Sequence, residues 1–499
     1  MAQSWFRQIV AIELALTLLL VGGCRSPRQH AWGLHNPVSA SALNEVRAAA
    51  PDDSYSVENI ADIPALQAEV VLASAPIITD APDAFEAPEA QPELQDLIAQ
   101  AVAANPQIGR MQAETAAAWA RVPQVLALPD PMVGGTVFGE PMHMAEGRMR
   151  GTLMLSQTIP SLKQLSAQGQ EAGFEALILQ QEVEAAQLNI AAKVAEAWYR
   201  LYLLGQLLRI NEANRQLVSP LVEVATGRVE VGETAPGDVV LGTLELSRTE
   251  EERLMLRQQL SSQTAVLNQL LNRPGDSPVP SPETIDQQPA GYTLDELRAM
   301  AFEQQPEIIG ARFQTQATAW GVRVARLRRI PEVNMNYEHM FMTSNPGADA
   351  EDPWRVGVAM NVPLWHSKYR AIEREARQEN LAARRGVEEV MREYEARILD
   401  LLAQARASAQ TAELYLNTIL PQARQALEVD QRAYGQGTVT FERVIQDARN
   451  LLVAEAAYYR AVVEQAIAVA RIQEAVGGQL PPTTKELRDL ELLPAPVPK

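Results

Sequence analysis

One cysteine, Cys24, stands in 499 residues, so no disulfide can form within the chain. Aromatic residues make up only 5% of the sequence, which excludes a bulky aromatic core, while Ala, Gln, Glu, Leu and Arg dominate. That is the composition of long helices packed through small side chains. A basic excess is also missing. The net charge of -19 argues against a nucleic-acid partner, because neutralising phosphates needs a basic face. An acidic surface of this size mainly keeps a protein soluble. Catalytic signatures are absent too. The five histidines (His30, His35, His143, His339, His366) show no HExxH spacing or other familiar ligand pair. There is no Walker-type Gly loop, no Gly-x-Ser-x-Gly and no reactive thiol. Carboxylates sit along helices at the spacing of solvated faces, and none is assigned a proton-transfer role. No enzymatic activity and no cofactor are expected.

What is present begins with "MAQSWFRQIVAIELALTLLLVGGCRS". Arg7, a short apolar stretch and small residues read as a secretion signal over 1–23, too short for a membrane span. Val-Gly-Gly before Cys24 resembles a bacterial lipobox, where cleavage leaves Cys24 as a lipidated N-terminus. Arg25 after it favours sorting to the outer membrane. Residues 24–91, rich in Ala, Pro and Asp and without periodicity, read as an irregular tether, and 479–499 as a similar tail.

Between these ends the chain repeats itself. "AVAANPQIGRMQAETAAAW" (101–119) returns as "AFEQQPEIIGARFQTQATAW" (301–320). Each copy continues through a Pro, a strand pair, another Pro and a very long helix. The repeats are placed at 92–275 and 293–478, with a linker at 276–292. In "VNMNYEHMFM", Asn334, Asn336, Glu338 and Met340 share one face, with Val333, Met335, Tyr337 and Phe341 opposite. In "RGTLMLSQTI", Arg150, Thr152, Ser156 and Thr158 alternate with Gly151, Leu153, Leu155 and Ile159. Period-two alternation predicts strands with one wet and one apolar face. After them, Val194, Ala197, Leu201, Leu204 and Leu208 keep a 3-4-3-4 spacing, and Ile398 to Ile419 keep 4-3-4-3-4-3 through Leu402, Ala405, Ala409, Ala412 and Leu416. Such spacing predicts coiled-coil seams. A helix from about Ser161 to Thr226 would be about 100 Å long, kinked at Pro220, with Pro421 at the comparable place in the second copy.

Strands of about ten residues have the length to cross a bilayer when tilted. Strands in lipid must close into a barrel, and four per chain are fewer than the eight of the smallest usual barrel. Several chains must therefore contribute. The alternative is a pair of small soluble sheets capping a helical bundle.

The duplicated order, together with "YGQGTVTFERVIQDARNLLVAEAAY", "LSQTIPSLKQLSAQGQEA" and "MNVPLWHSKYRAIEREAR", resembles the TolC-like outer-membrane efflux proteins across 92–476. The resemblance implies a mainly α fold with a transmembrane β portion: a trimer with an α-helical barrel and one shared 12-stranded β-barrel. It implies an exit duct that receives substrates from a periplasmic adaptor and an inner-membrane transporter of the resistance-nodulation-division type, with the outer-membrane lipid around it and the helices in the periplasm of a Gram-negative-type bacterium. Its lipidated subset fits Cys24. A periplasmic adaptor or a structural coiled-coil envelope lipoprotein are the alternatives. Adaptors carry one helical hairpin flanked by β-rich modules, and amphipathic strands weigh against the lipoprotein.

In the family the tunnel narrows at the helix-turn-helix tips, where Gly-Thr-x-Thr-x-x-Asp-Val-Leu-Asp places two aspartates around the pore. Here Gly437 opens the matching stretch and those positions hold Arg443 and Gln446, flanked by Glu442 and Asp447. The first copy keeps Asp238 six residues after Gly232. The expectation is either a latch between Asp238 of one hairpin and Arg443 of the next, or charges that only decorate a solvated tip. Finally, Met142, His143, Met144 and Met149, with His339, Met340 and Met342, gather near the predicted outer mouth. Thioethers suit Cu(I) or Ag(I), but methionine also fills apolar surfaces.

Overall fold

Proline and capping side chains start the helices. Pro106 and Pro306 occupy first-turn positions, where a missing N–H costs nothing. Asn105 Oδ1 accepts from Gln107 N at 2.9 Å, and Thr293 forms a reciprocal capping box with Glu296. The computed structural model describes residues 92–480, apart from 145–146, 233–234, 280–281, 283, 286–290 and 344–350. Cys24 with its signal, the tether and the tail from 481 lie outside the described residues.

The elements run α1 (Pro92–Ala104), α2 (Pro106–Leu126), β1 (Met132–Met144), β2 (Gly147–Ile159), α3 (Leu162–Glu230) and α4 (Pro236–Leu270). The same series then recurs as α5 (Leu294–Gln304), α6 (Pro306–Leu327), β3 (Val333–Thr343), β4 (Trp354–Met360), α7 (His366–Leu414), a π turn (Tyr415–Ile419), α8 (Leu420–Gly435) and α9 (Phe441–Val476). The cores repeat in register. Leu97, Ala101, Ile108 and Leu201 are buried in the first copy, and Leu297, Ala301, Ile308 and Leu401 in the second.

The 69 residues of α3 give a helix about 100 Å long, continuous through Pro220. Its expected seam is formed as far as Leu204: Val194, Ala197, Leu201 and Leu204 are buried, and Leu208 is half-buried. The second seam holds only from Ile398 to Ala412. Leu416 is 51% exposed, and the buried series resumes at Leu420, Leu427 and Tyr434. The π turn at Tyr415–Ile419 sits just before Pro421 and widens the helix by one residue, which moves the seam on by one position, from the expected Ile419 to Leu420. Proline lacks an N–H and its ring clashes with the carbonyl four residues back, so the wider turn accommodates Pro421.

All four strands form one antiparallel sheet, ordered β1-β2-β3-β4. The two expected hairpins therefore join, through the pairing of β2 with β3. Among the described residues no helix is long and apolar enough to cross a membrane.

Candidate channel wall and helical tip

The pairing register sorts the sheet into two faces, because residues directly opposite across a ladder point the same way. Leu155 pairs with Val133 and with Tyr337, and Tyr337 with Val356. Met335 pairs with Val358, Val333 with Met360, and Gly151 with both Val137 and Phe341. These side chains make one apolar face, and much of it is exposed: Val137 is 88% accessible, Val133 71% and Val358 64%. An apolar face of this extent needs a cover.

The opposite face carries the polar groups. Thr152 pairs with Thr136, and Ser156 with Asn336. Asn334 Nδ2 donates to Thr158 Oγ1 at 3.1 Å, and Arg355 Nε to Glu338 Oε2 at 2.6 Å. An ion pair here marks the face that meets water. Both outer strands, β1 and β4, keep one open edge. Unpaired edge groups cannot stay in hydrocarbon, so a sheet of this kind enters lipid only when its edges are joined to other strands.

The expected alternation of β2 holds from Gly151 to Ile159 and breaks at Arg150, where a bulge shifts the register between Met149 and Gly151. This bulge divides the methionine and histidine candidates. Met142, Met149 and Met342 fall opposite one another on three strands. Met144 pairs with Gly147 and Met340 with Thr152, both on the polar side. His339 lies on the apolar face opposite Leu153, against the Phe341 ring, and His143 pairs with Arg148. The register thus separates the histidines from the methionines, which share the polar side.

At the far end of the long helices two glycines turn the chain. Gly232 (φ 80°) and Gly437 (φ 73°) adopt the left-handed conformation that side chains resist. Phe441 is fully buried beneath the tip, with its ring 5.6 Å from that of Tyr434. Gly242 on α4 allows this packing, since a Cβ there would meet Val222 Cγ2 at 2.5 Å and Phe441 at 3.0 Å. Arg228, in the last turn of α3, donates to the carbonyls of Tyr434 and Gly435, each at 2.9 Å, and covers the Tyr434 ring at 4.7 Å. It thereby closes the C-terminal end of α8, where orphan carbonyls attract a cation. Sequence reading missed Arg228, although a cation in the last turn of α3 was visible.

Arg443 does not meet Asp238 within the chain. Its Nε donates to Asp430 Oδ2 at 2.6 Å, on the neighbouring helix of the same hairpin. Asp238 lies instead in the first turn of α4, beside the small hollow lined by Arg228, Tyr434 and Gly437. Glu442 and Gln446 are exposed, and Gln446 donates to Asn450 at 3.1 Å. Asp447 lies against Asp430, and its Oδ2 is buried without a hydrogen-bond partner. Burial first, and then Asp430, push Asp447 above the usual aspartate range, whereas the Arg443 guanidinium chiefly holds Asp430 below it.

These opposite shifts predict a stability optimum for the tip. The raised group, Asp447, contributes fully below the usual aspartate value of 3.8 and loses its contribution as pH rises through its folded value. The lowered group, Asp430, contributes above 3.8 and loses its contribution as pH falls through its folded value. Acidifying from neutral should therefore slow hydrogen exchange of tip amides, corrected for intrinsic rate, until the usual aspartate range, and speed it below. Asp447→Asn should remove the upper limb and leave the lower one.

Residues 297–478 match the model of the outer membrane efflux protein family. No curated protein sequence matches the chain. Among solved structures, the fold is similar to the outer-membrane channel OprN, at TM-score 0.67 and 19% identity, covering 78% of this chain and 90% of that one. It is similar to the outer membrane protein VceC of Vibrio cholerae, at TM-score 0.66 and 20% identity, covering 77% and 96%. It is also similar to the open state of the MtrE outer membrane channel of Neisseria gonorrhoeae, at 0.63 and 16%, covering 78% and 90%. Residues 297–478 thus carry an outer membrane efflux protein domain, and the chain shares the fold of these channels over most of its length.

Proposed function

We propose that this chain is the outer-membrane exit duct of a tripartite efflux system and carries out no chemistry of its own. The observation that carries the reading is the two-faced sheet with open edges, set on helices about 100 Å long. Three copies would supply 12 strands and close one barrel, with the helices continuing the duct into the periplasm. A periplasmic adaptor and an inner-membrane transporter, of the resistance-nodulation-division type by resemblance, would select and drive the cargo. Lipidation of Cys24 would add an anchor in the outer membrane, and the mass of the mature N-terminus reads it directly. The polar groups at the tips, exposed Glu442, Arg443 and Gln446 with half-buried Asp238 and Asp447, are the candidates for the periplasmic gate. Contact between copies could still bring Asp238 toward Arg443.

Reconstitution tests the reading. The purified full-length chain should produce discrete ion-conducting events in a planar bilayer, and Arg228→Ala, which frees the α8 carbonyls, should raise the resting conductance. A membrane that stays silent with both proteins would refute the duct.

A further inference from the structure

Methionine is concentrated where a water-facing wall should have least use for it. Nine of the chain's 14 methionines lie in the four strands, which together hold 44 residues. Methionine as a filler of apolar packing belongs on the apolar face, where Met335 and Met360 sit. Seven others, however, follow the register of the polar face.

Three of these seven meet in one rung. Met142 on β1 pairs with Met149 on β2, which pairs with Met342 on β3. Directly opposed residues of an antiparallel ladder have Cβ atoms about 4.5–5.5 Å apart, within reach for three long thioether side chains to converge on one atom. Met149, at the centre, is 6% exposed, while Met142 is 49% exposed and opens the rung to solvent. Met144 and Met340 flank it on the same face. Among the described residues no group of three or more His, Cys, Asp or Glu is placed to hold a metal. The side-chain donors that the rung itself offers are three thioether sulfurs.

We infer that Met142, Met149 and Met342 form a thioether site for a soft monovalent d10 cation, Cu(I) or Ag(I), on the water-facing wall of the sheet. Neutral thioethers bind such ions in preference to Zn(II) or Mg(II), which favour nitrogen, thiolate or oxygen ligands. No charge binds the ion in place, so it can exchange, as a site along a conducting path requires. The position of the rung in an exit path rests on the duct reading; its ligand chemistry does not.

Silver nitrate titrated into the detergent-purified full chain tests the site, in a Cys24→Ser background so that the single thiol cannot answer for it. About one Ag(I) per chain should bind, and X-ray absorption at the silver edge should show sulfur neighbours. The near-isosteric variant M142L/M149L/M342L should lose this binding, whereas M335L/M360L on the apolar face should keep it. Dilute Ag(I) should also reduce the conductance of the parent channel and spare the triple variant. A silver shell of nitrogen and oxygen alone overturns the site on the parent protein, whether or not the variants fold. Unchanged silver binding by M142L/M149L/M342L overturns it as well. Silver bound through sulfur with a silent bilayer would refute the duct and leave the site standing, and conduction without silver binding would do the reverse.

Discussion

Leu155→Arg should prevent the chain from entering a membrane as a β-barrel. Leu155 lies near the middle of β2 on the apolar face, between Val133 and Tyr337, and is 36% exposed in the single chain. Arginine on the lipid face costs about 2–4 kcal/mol at the bilayer midplane. With one such side chain per copy, three copies would carry that penalty three times. Folding yield into lipid vesicles, read by the β signal and by a shift in gel mobility, should collapse. Thr152→Arg supplies the control: it pairs with Thr136 and Met340 on the other face and would point the same charge at water. That variant should insert like the parent and alter only ion selectivity. Equal loss in both variants would mean that the sheet has no lipid face.

Phe441→Ala should open the tip. Phe441 is fully buried, packs on Tyr434, and fills the space that Gly242 leaves between α4 and α9. Removing a buried phenylalanine costs about 3–5 kcal/mol, more than any single exposed ion pair at the tip supplies. The loss falls on the helical tip and not on the sheet, because α7, the π turn and α8 all stand between Met360 and Phe441. Resting conductance should rise while thermal stability of the β portion stays unchanged. If Phe441→Ala conducts like the parent, packing does not hold the tip closed. The polar contacts, Arg228 with the α8 carbonyls and Arg443 with Asp430, would then carry closure.

Features that depend on one element were legible in the sequence. The period-two faces of β2 and β3, the seam from Val194 to Leu204, and the return of Leu97, Ala101 and Ile108 as Leu297, Ala301 and Ile308 all follow from spacing within a segment. What was not legible depends on how two elements meet. The Met142–Met149–Met342 rung needs the bulges that set the register between strands, and methionine spacing along any one strand does not reveal it. Arg443 turns to Asp430 because α8 and α9 are antiparallel neighbours, so a residue 13 positions back is closer than the first hairpin's Asp238. The end of the second seam at Ala412 was hidden for another reason. A heptad pattern assumes a constant turn, and the π turn before Pro421 inserts one residue into it.

The central claim is that four strands per chain become a membrane wall only when copies join β1 of one to β4 of the next. The native mass of the full-length chain extracted in mild detergent, measured together with its β signal, tests this most directly. The account predicts a single species of three copies that loses its β signal when it dissociates to monomers. A stable monomer that keeps its full β content would contradict it.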